Sequence, residues 1–474
     1  MVKRLKILFL IDVSGSDRFN FELSRYLEKH YDVESYYICM VPRNIDFLVE
    51  NGVKRDHIFT AFHLFQKRVK YPDINYLKEC EEKYDFRVWD AWNITVTRQN
   101  SRYSIPRKKI LTWFTYLCRA YENIFDSVKF DAFVLLAAAS FSTYVLYKIA
   151  MKKDLEIIDL VTSRIPDRFA INNNFEDLWP ELVKEYKSIK KKGLNDNELT
   201  KVNEYIYNYL NKPKRPDTAT VKTVYNKEFF NQVFDIFLHP FRKPGLFDYL
   251  GSYWSSFIFK IKGKFLIFSR YFDKPNYRRK YIYIPLHCQP ETTTSIYGKW
   301  HENQIHMIEV LSKAAPVGYT IYVKEHGYLF SNRPFYFYKE IKKLPNVKLL
   351  SPYEDSFDLI KNSSMIATIT GSTGWEALFF KKPVLTFGNV FYNVYDNVYN
   401  VKDFSKLPLV IHLKLNEKIK DENLIKFMGA MFRASYPGYV NLPGDCGEIS
   451  LKKENIALIS KGVMDYLEKI NLVP

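Results

Sequence analysis

Between Tyr281 and Phe387 the sequence alternates short apolar runs with longer amphipathic stretches at a regular spacing. Because strands that alternate with helices build a parallel sheet covered by helices, this alternation predicts a Rossmann-like domain over residues 281–452. The predicted strands are Tyr281–Pro285, Thr320–Val323, Val347–Leu350, Met365–Thr370 and Pro383–Phe387. The predicted helices are His301–Ala314, Phe335–Ile341, Ser356–Asn362 and Trp375–Phe380.

The first part of the chain shows the same alternation less regularly. Its apolar runs predict strands at Lys6–Val13, Val33–Met40, Asp131–Ala137 and Glu156–Val161. A chain of 474 residues is long enough for two domains. The sequence therefore predicts an α/β fold with two Rossmann-like domains, the first over residues 1–171.

The alternation of predicted strands and helices stops over residues 172–280. We expect this segment to form a helical, aromatic and basic connection between the domains. Their second part, which includes Phe241–Lys280, mixes aromatic with basic residues. Such a mixture is typical of a peripheral membrane contact, although core helices would contain the same aromatics. Residues 453–474 are predicted to form a helix that crosses back to the first domain.

The chain carries a net charge of +17, from 70 Lys and Arg against 53 Asp and Glu. A positive field of this size attracts phosphates on sugar nucleotides, anionic lipids or nucleic acid. The basic residues are spread along the chain without zinc-finger or RNP-type motifs, so nucleic acid is the disfavoured partner. The five Cys are scattered without a CxxC pair, which favours a reducing compartment.

Two apolar stretches bear on localisation. Ile7–Ile11 is short and ends at Asp12 without a cleavage pattern, which indicates a buried strand rather than a signal peptide. Ala132–Tyr147 is shorter than the ~20 residues that a spanning helix needs. We therefore expect no transmembrane segment and a cytoplasmic protein, with peripheral contact at the inner face of the membrane left open.

The sharpest candidate site is the loop Gly371–Gly374, which lies between a predicted strand and a predicted helix. Such a loop presents backbone N–H groups and the positive end of a helix to an anion. The loop lacks the Lys of a Walker A motif, which disfavours ATP hydrolysis. Glu376 can accept hydrogen bonds from ribose hydroxyls; alternatively, Thr373 and Glu376 form a capping box that only satisfies the helix end.

Two further loops follow predicted strands, at the sheet edge where α/β proteins bind ligands. One carries Lys324 and His326, which suit a leaving phosphate, although Lys-Glu-His is also common surface chemistry. The other carries His287, Gln289 and Glu291. The carboxylate of Glu291 suits an acid, base or nucleophile at an anomeric carbon, although a solvated turn residue is the alternative.

The first domain offers Asp12, a carboxylate that follows the first strand and suits an acid or base. Capping of the next helix by Ser16 or Asp17 explains this segment as well. The sequence has no DxD motif in a suitable loop, no HxxxH helix and no Cys/His cluster. We therefore expect no metal and no cofactor.

Three segments resemble the capsule polysaccharide biosynthesis family, relatives of the bacterial capsular Kdo transferases. They are PLHCQPETTTSIYG, VKEHGY and SPYEDSFDLIKNSSMIATITGSTGWEALFFKKPVLTFG, and the resemblance is strong over residues 281–393. It implies a metal-independent, GT-B-like glycosyltransferase, whose two Rossmann-like domains face each other across a cleft with the donor on the C-terminal side. Gly327 follows His326 where Kdo and sialic acid transferases have Pro, and Glu291 stands where capsular Kdo enzymes have Asp, so the donor sugar stays open.

The resemblance implies phosphate and nucleotide contacts at Lys324, His326, Ser372 and Thr373, with Glu376 near the ribose and Glu291 as the catalytic carboxylate. The candidate catalytic residues are therefore Glu291 and His326, and Asp12 is the acceptor-side candidate of the first GT-B-like domain. The candidate donor-binding residues are His287, Gln289, Lys324, Gly371, Ser372, Thr373, Gly374 and Glu376. The expected partners are a nucleotide sugar and a glycan or lipid-linked glycan acceptor. Polyol-phosphate transfer, sugar-nucleotide epimerisation and a non-catalytic role in glycan assembly are the alternatives.

Overall fold

The computed structural model describes residues 4–12, 16–61, 71–99, 105–136, 140–174, 179–211, 271–289, 292–327, 333–440 and 449–472. The chain divides into two compact units. The first comprises Met1–Thr200, Pro290–Tyr297 and Ile425–Pro474, and the second comprises Lys201–Gln289 and Gly298–Leu424.

Each unit is built on its own β-sheet. The strands are β1 Leu5–Ile11, β2 Val33–Cys39, β3 Ile58–Thr60, β4 Ala132–Leu135, β5 Glu156–Thr162, β6 Arg168–Asn172, β7 Tyr281–Pro285, β8 Thr320–Lys324, β9 Val347–Leu350, β10 Met365–Thr368, β11 Val384–Thr386, β12 Val398–Asn400 and β13 Tyr436–Pro437. The first sheet has the order β13-β6-β5-β4-β1-β2-β3, and the second has the order β12-β11-β10-β7-β8-β9.

Helices connect and cover these strands. Their bounds are α1 Ser16–His30, α2 Pro42–Glu50, α3 Ile74–Tyr84, α4 Val88–Gln99, α5 Arg107–Ser127, α6 Phe141–Met151, α7 Pro180–Lys192, α8 Asp196–Asn211, α9 Thr292–Ser295, α10 Gln304–Ala314, α11 Phe335–Lys342, α12 Ser356–Asn362, α13 Ser372–Phe379, α14 Leu407–Asn416, α15 Asp421–Arg433 and α16 Lys453–Lys469. Within the described parts of the chain, no helix is both long and apolar enough to cross a membrane.

The interior strand β1 of the first sheet is buried on both faces, as a strand covered by helices requires. Leu8 and Leu10 on β1 join one hydrophobic cluster, while Ile7 and Phe9 join the cluster on the opposite face. The apolar run at the start of the sequence is therefore this interior strand. The run Ala132–Tyr147 likewise contains β4 and most of α6, as predicted.

The alternation in the first part of the chain predicted a parallel, doubly wound sheet, and the first sheet departs from this pattern at one edge. β6 pairs antiparallel with β5, and β13 pairs antiparallel with β6. The connection from β5 to β6 is too short for a crossover helix, which parallel pairing requires. The chain reverses there through Arg164 and Asp167, both in left-handed backbone conformations with φ of 67° and 57°.

The second sheet is parallel throughout the described residues. Ile282 on β7, Leu349 on β9 and Ala367 on β10 belong to one buried cluster beneath the helices. The predicted bounds of β7, β9 and α12 are confirmed to the residue. Both units are therefore α/β units around predominantly parallel sheets, which confirms the predicted fold class.

Residues 425–452 belong to the first unit, whereas the sequence predicted a domain that continues to residue 452. The guanidinium of Arg433 pairs with Glu198 at 2.6 Å between Nε and Oε1. Arg168 on β6 donates from Nε to Oγ of Ser435 at 2.8 Å, and β13 then extends the first sheet. Side chains of α16 pack in the same unit, with Ile459 in its core.

The predicted helical connection is described only in part. Residues 179–211 form α7 and α8, as its charged first half predicted. Residues 212–270, which include most of the segment predicted to contact a membrane, lie outside the described residues.

Candidate active site

The second sheet has a topological switch point between β7 and β10. From β7 the chain adds β8 and β9 on one side, and then returns to add β10, β11 and β12 on the other side. In open α/β sheets, ligands bind outside the carboxyl ends of the strands at the point where the order reverses. The loops that follow β7 and β10 therefore define the candidate site.

His287, two residues after β7, holds these two loops together. Its Nε2 accepts a hydrogen bond from the backbone N–H of Ile369 at 3.1 Å and lies 2.9 Å from Oγ1 of Thr368. Oγ1 of Thr368 in turn accepts from the N–H of Gly371 at 3.1 Å. The imidazole is thus an internal link between the loop after β7 and the small-residue loop after β10.

The ring of His287 is neutral in the folded protein. Burial, together with the charges of His326 and Arg333, lowers the pKa of His287 to about 3. An uncharged ring can accept through Nε2, as the hydrogen bond from Ile369 requires.

The helix after β10 begins earlier than predicted. α13 starts at Ser372 rather than at Trp375, and its N-cap is Gly371. Thr373 is therefore the second helical residue, and the alternative capping box with Glu376 is wrong. Gly371 has no side chain that accepts a hydrogen bond, and no side-chain cap is present at this end of α13 among the described residues. The first turn thus begins without the usual side-chain acceptor for its N–H groups.

Close packing explains both glycines of this loop. A Cβ on Gly371 would lie 2.7 Å from Oγ1 of Thr368 and 3.1 Å from Cε1 of His287. A Cβ on Gly374 would lie 2.7 Å from Cζ of Tyr392. The hydroxyl of Tyr392 donates to the carbonyl of Gly371 at 2.6 Å, so the loop is fixed from both sides.

The residues Lys324–His326 at the end of β8 differ in burial and in what they contact. Glu325 is buried and pairs with the buried guanidinium of Arg333, whose Nε lies 3.1 Å from both carboxylate oxygens. Arg333 also donates to the carbonyl of His287. Lys324 and His326 on either side are only partly buried. The sequence did not single out Arg333, because Glu325 is eight residues away and its other partner, the carbonyl of His287, lies in another loop.

The ammonium of Lys324 lies at the carboxyl end of β8 among acidic groups. Burial lowers the pKa of Lys324, and Asp355, Glu325, Glu354 and Glu376 partly offset this effect. The side chain of Glu376 is buried, and it also raises the pKa of Tyr283 on β7. The negative charge of Glu376 is thus one of four that favour the charged form of Lys324.

Gln289 is engaged inside the protein. Its Nε2 donates to the carbonyl of Glu302 at 2.6 Å, and its Oε1 accepts from Nε2 of Gln304 at 2.7 Å. Oε1 of Gln304 also accepts from the backbone N–H of His287 at 2.7 Å. Gln304 and Gln289 therefore set the backbone of the loop that leads from β7.

Two asparagines that the sequence did not single out order the loop after β11. Nδ2 of Asn400 donates to the carbonyl of Gly388 at 2.7 Å, and Nδ2 of Asn393 donates to the same carbonyl at 2.9 Å. The N–H of Gly388 donates to the carbonyl of Ile369 at 3.0 Å. No periodicity or motif signals such contacts, because Asn393 and Asn400 belong to separate short elements that meet only in the folded protein.

Glu291 lies outside the described residues. The residues after it form α9, and Ile296 is buried in the core of the first unit. Asp12 is half-buried after β1 in the same unit, where its carbonyl accepts from Nδ2 of Asn44 at 3.3 Å. Among the residues that the structure describes, no three His, Cys, Asp or Glu side chains form a group that could hold a metal ion.

A comparison with protein-family profiles finds a match over the segments that resemble the capsule family. Residues 273–396 match the sequence profile described as "Capsule polysaccharide biosynthesis protein". This range contains the loops after β7, β8 and β10. A search of curated proteins gave no match.

Solved structures resemble the chain only distantly. A KpsC beta Kdo 2,7 transferase from Thermosulfurimonas dismutans is 13% identical with a TM-score of 0.39, over 68% of this chain and 82% of that one. A UDP-GlcNAc 2-epimerase from Methanocaldococcus jannaschii is 12% identical with a TM-score of 0.28, over 90% and 98%. A glycosyltransferase from Rickettsia africae is 11% identical with a TM-score of 0.29, over 99% and 99%. At these TM-scores the likenesses do not decide between transfer and epimerisation. The sequence profile covers the loops that form the candidate site, and over residues 273–396 this chain is similar to the capsule polysaccharide biosynthesis family.

Proposed function

We propose that this chain is a glycosyltransferase that moves a sugar from a nucleotide-sugar donor to a capsular or other surface polysaccharide. One observation carries the proposal. Within the segment that matches the capsule family, His287 fixes the loop Gly371–Gly374 at the switch point of a parallel sheet. That is the position at which α/β sheets bind nucleotides.

The donor phosphates bind at the start of α13 in this proposal. The N–H groups of Ser372 and Thr373 lack a side-chain cap, and a phosphate supplies the missing acceptor at the positive end of the helix. Lys324 adds a cation at the end of the adjacent β8. The carboxylate of Glu376, which lies near Lys324, accepts from the ribose hydroxyls.

The sugar is transferred by the two candidate catalytic residues. Glu291 accepts the proton of the acceptor hydroxyl, whose oxygen bonds to the anomeric carbon as the bond between that carbon and the donor phosphate breaks. Alternatively, Glu291 displaces the phosphate to form a glycosyl-enzyme, and the acceptor hydroxyl then displaces Glu291 and gives its proton to solvent. His326 and Lys324 stabilise the negative charge on the departing phosphate. These groups act without a metal ion in this proposal, and Asp12 is the next candidate base.

A transfer assay tests the proposal. The purified chain is incubated with nucleotide sugars and an oligosaccharide acceptor, and both extended glycan and released nucleotide are measured. We expect the two products in equal amounts and unchanged rates in EDTA. Conversion of the donor sugar without an acceptor would instead identify an epimerase. Glycan binding without turnover or nucleotide binding would identify a non-catalytic assembly protein.

A further inference from the structure

The first turn of α5 carries three consecutive cations, Arg107, Lys108 and Lys109, all of which are exposed. This turn contains no acidic residue, and none of the three cations forms an ion pair with another described residue. Cations at a helix N-terminus are opposed by the helix dipole, so helix stability does not account for this run.

Each of these cations lies over an aromatic ring from this part of the first unit. Nζ of Lys108 is 4.2 Å from the ring centroid of Tyr71, and Cζ of Arg107 is 5.8 Å from that of Trp89. Tyr71 is 67% exposed and Trp89 is 46% exposed, which is unusual for rings of this size. We call Tyr71, Trp89, Arg107, Lys108 and Lys109 the basic–aromatic patch.

We propose that the basic–aromatic patch docks the chain on an anionic lipid surface. Cations near such a surface are attracted to lipid phosphates, while Trp and Tyr rings favour the boundary between headgroups and acyl chains. In the basic–aromatic patch, cations and aromatic rings lie next to each other. This proposal rests on the first unit alone and is independent of the donor site.

The arrangement of the rings favours lipid over nucleic acid or glycan. Nucleic acid bases stack on open aromatic faces, and sugars pack against such faces in the same way. Here Arg107 covers a face of Trp89, and Lys108 covers a face of Tyr71. The ring of Lys109's partner, Trp113, is also stacked on Phe141. Ring edges and cations remain accessible, and these suit a headgroup layer.

Vesicle co-sedimentation of the full chain tests the patch. We compare vesicles of two parts phosphatidylcholine to one part phosphatidylglycerol with vesicles of phosphatidylcholine alone. The variant Arg107→Gln/Lys108→Gln/Lys109→Gln should lose roughly a hundredfold in partition coefficient on the anionic vesicles, because each cation contributes about fivefold. These substitutions also relieve unfavourable charges at the helix start, so a loss through unfolding is not expected.

The matched control is Lys190→Gln/Lys191→Gln/Lys192→Gln, which removes the same charge from an exposed run at the end of α7. It should retain wild-type partitioning. Trp89→Ser should weaken binding severalfold while it leaves all three cations in place. Failure of the wild type to bind anionic vesicles, or equal losses in the two triple variants, would overturn the proposal. Binding of a single-stranded oligonucleotide that the patch variant loses, with vesicle binding intact, would overturn it in favour of nucleic acid.

Discussion

Nε2 of His287 lies 2.9 Å from Oγ1 of Thr368 and accepts the backbone N–H of Ile369. These contacts join the ends of β7 and β10, the two neighbouring strands at which the order of the second sheet reverses. The loop Gly371–Gly374 is therefore held in place before any ligand binds. Such preorganisation lowers the conformational cost of binding.

Removal of the Thr368 hydroxyl should weaken this link. Thr368→Val keeps the shape of the side chain but leaves His287 and the N–H of Gly371 without that partner. We expect a loss of about 1–3 kcal/mol in the free energy of unfolding, because buried polar groups lose hydrogen bonds. Urea denaturation measures this loss. Thr320→Val, at the opposite end of the sheet, should change stability little, and equal effects of the two substitutions would contradict the role of Thr368.

His287 should make the protein sensitive to acid. Its pKa falls from 6.5 to about 3 on folding, so the unfolded chain binds the proton more readily between these values. The stability that the neutral ring contributes is complete above pH 6.5 and is lost as the pH falls. We expect a loss of roughly 2 kcal/mol from this residue between pH 7.5 and pH 5. His287→Gln should be less stable at pH 7.5 but show a flatter pH profile, and parallel profiles would contradict this account.

The buried pair of Glu325 and Arg333 should be essential for folding rather than for chemistry. Arg333→Met leaves a buried carboxylate uncompensated, which costs about 3–5 kcal/mol. Lys343→Met breaks the exposed pair with Glu340, where the side chains are 60% and 37% exposed, and should have almost no effect. Thermal and urea unfolding of the two variants measure the difference. A stable Arg333→Met variant with a greatly reduced kcat would instead make Arg333 a substrate contact.

Glu291 should be required for turnover but not for stability. Glu291→Gln keeps the shape of the side chain and removes its charge, so we expect kcat to fall by about 10²–10⁴. The control Glu309→Gln alters an exposed carboxylate on α10. Initial rates of glycan extension measure both variants. If Glu291→Gln stays within a few-fold of the wild type, Glu291 is a turn residue and Asp12→Asn is the next variant.

Local sequence patterns predicted most of the second sheet. The strands Tyr281–Pro285 and Val347–Leu350 are short apolar runs between polar or turn residues, so their bounds were clear. The start of α13 was predicted three residues too late. A Gly–Ser–Thr–Gly sequence is typical of a loop, although its last three residues are helical here.

Contacts between distant segments could not be predicted. Arg168 contacts Ser435, which is 267 residues further along the chain. β13, which also lies near the C-terminal end of the sequence, pairs with β6 of the first sheet. The sequence placed His287 among the donor contacts by its position after a strand. Its hydrogen bond to Ile369 depends on which strand lies beside β7, and pairing order is not encoded in local periodicity.

The nucleotide site at the start of α13 is the central claim, and a thermal-shift panel of CMP, CDP, UDP and GDP tests it most directly. A ligand at a hundredfold excess over its dissociation constant stabilises the folded state by about 2.7 kcal/mol. We expect one of these nucleotides to stabilise the wild type, and Ser372→Ala/Thr373→Ala to show a much smaller shift with an unchanged melting temperature in the absence of ligand. No shift with any of the four nucleotides, or an equal shift in the wild type and the double variant, would contradict the account.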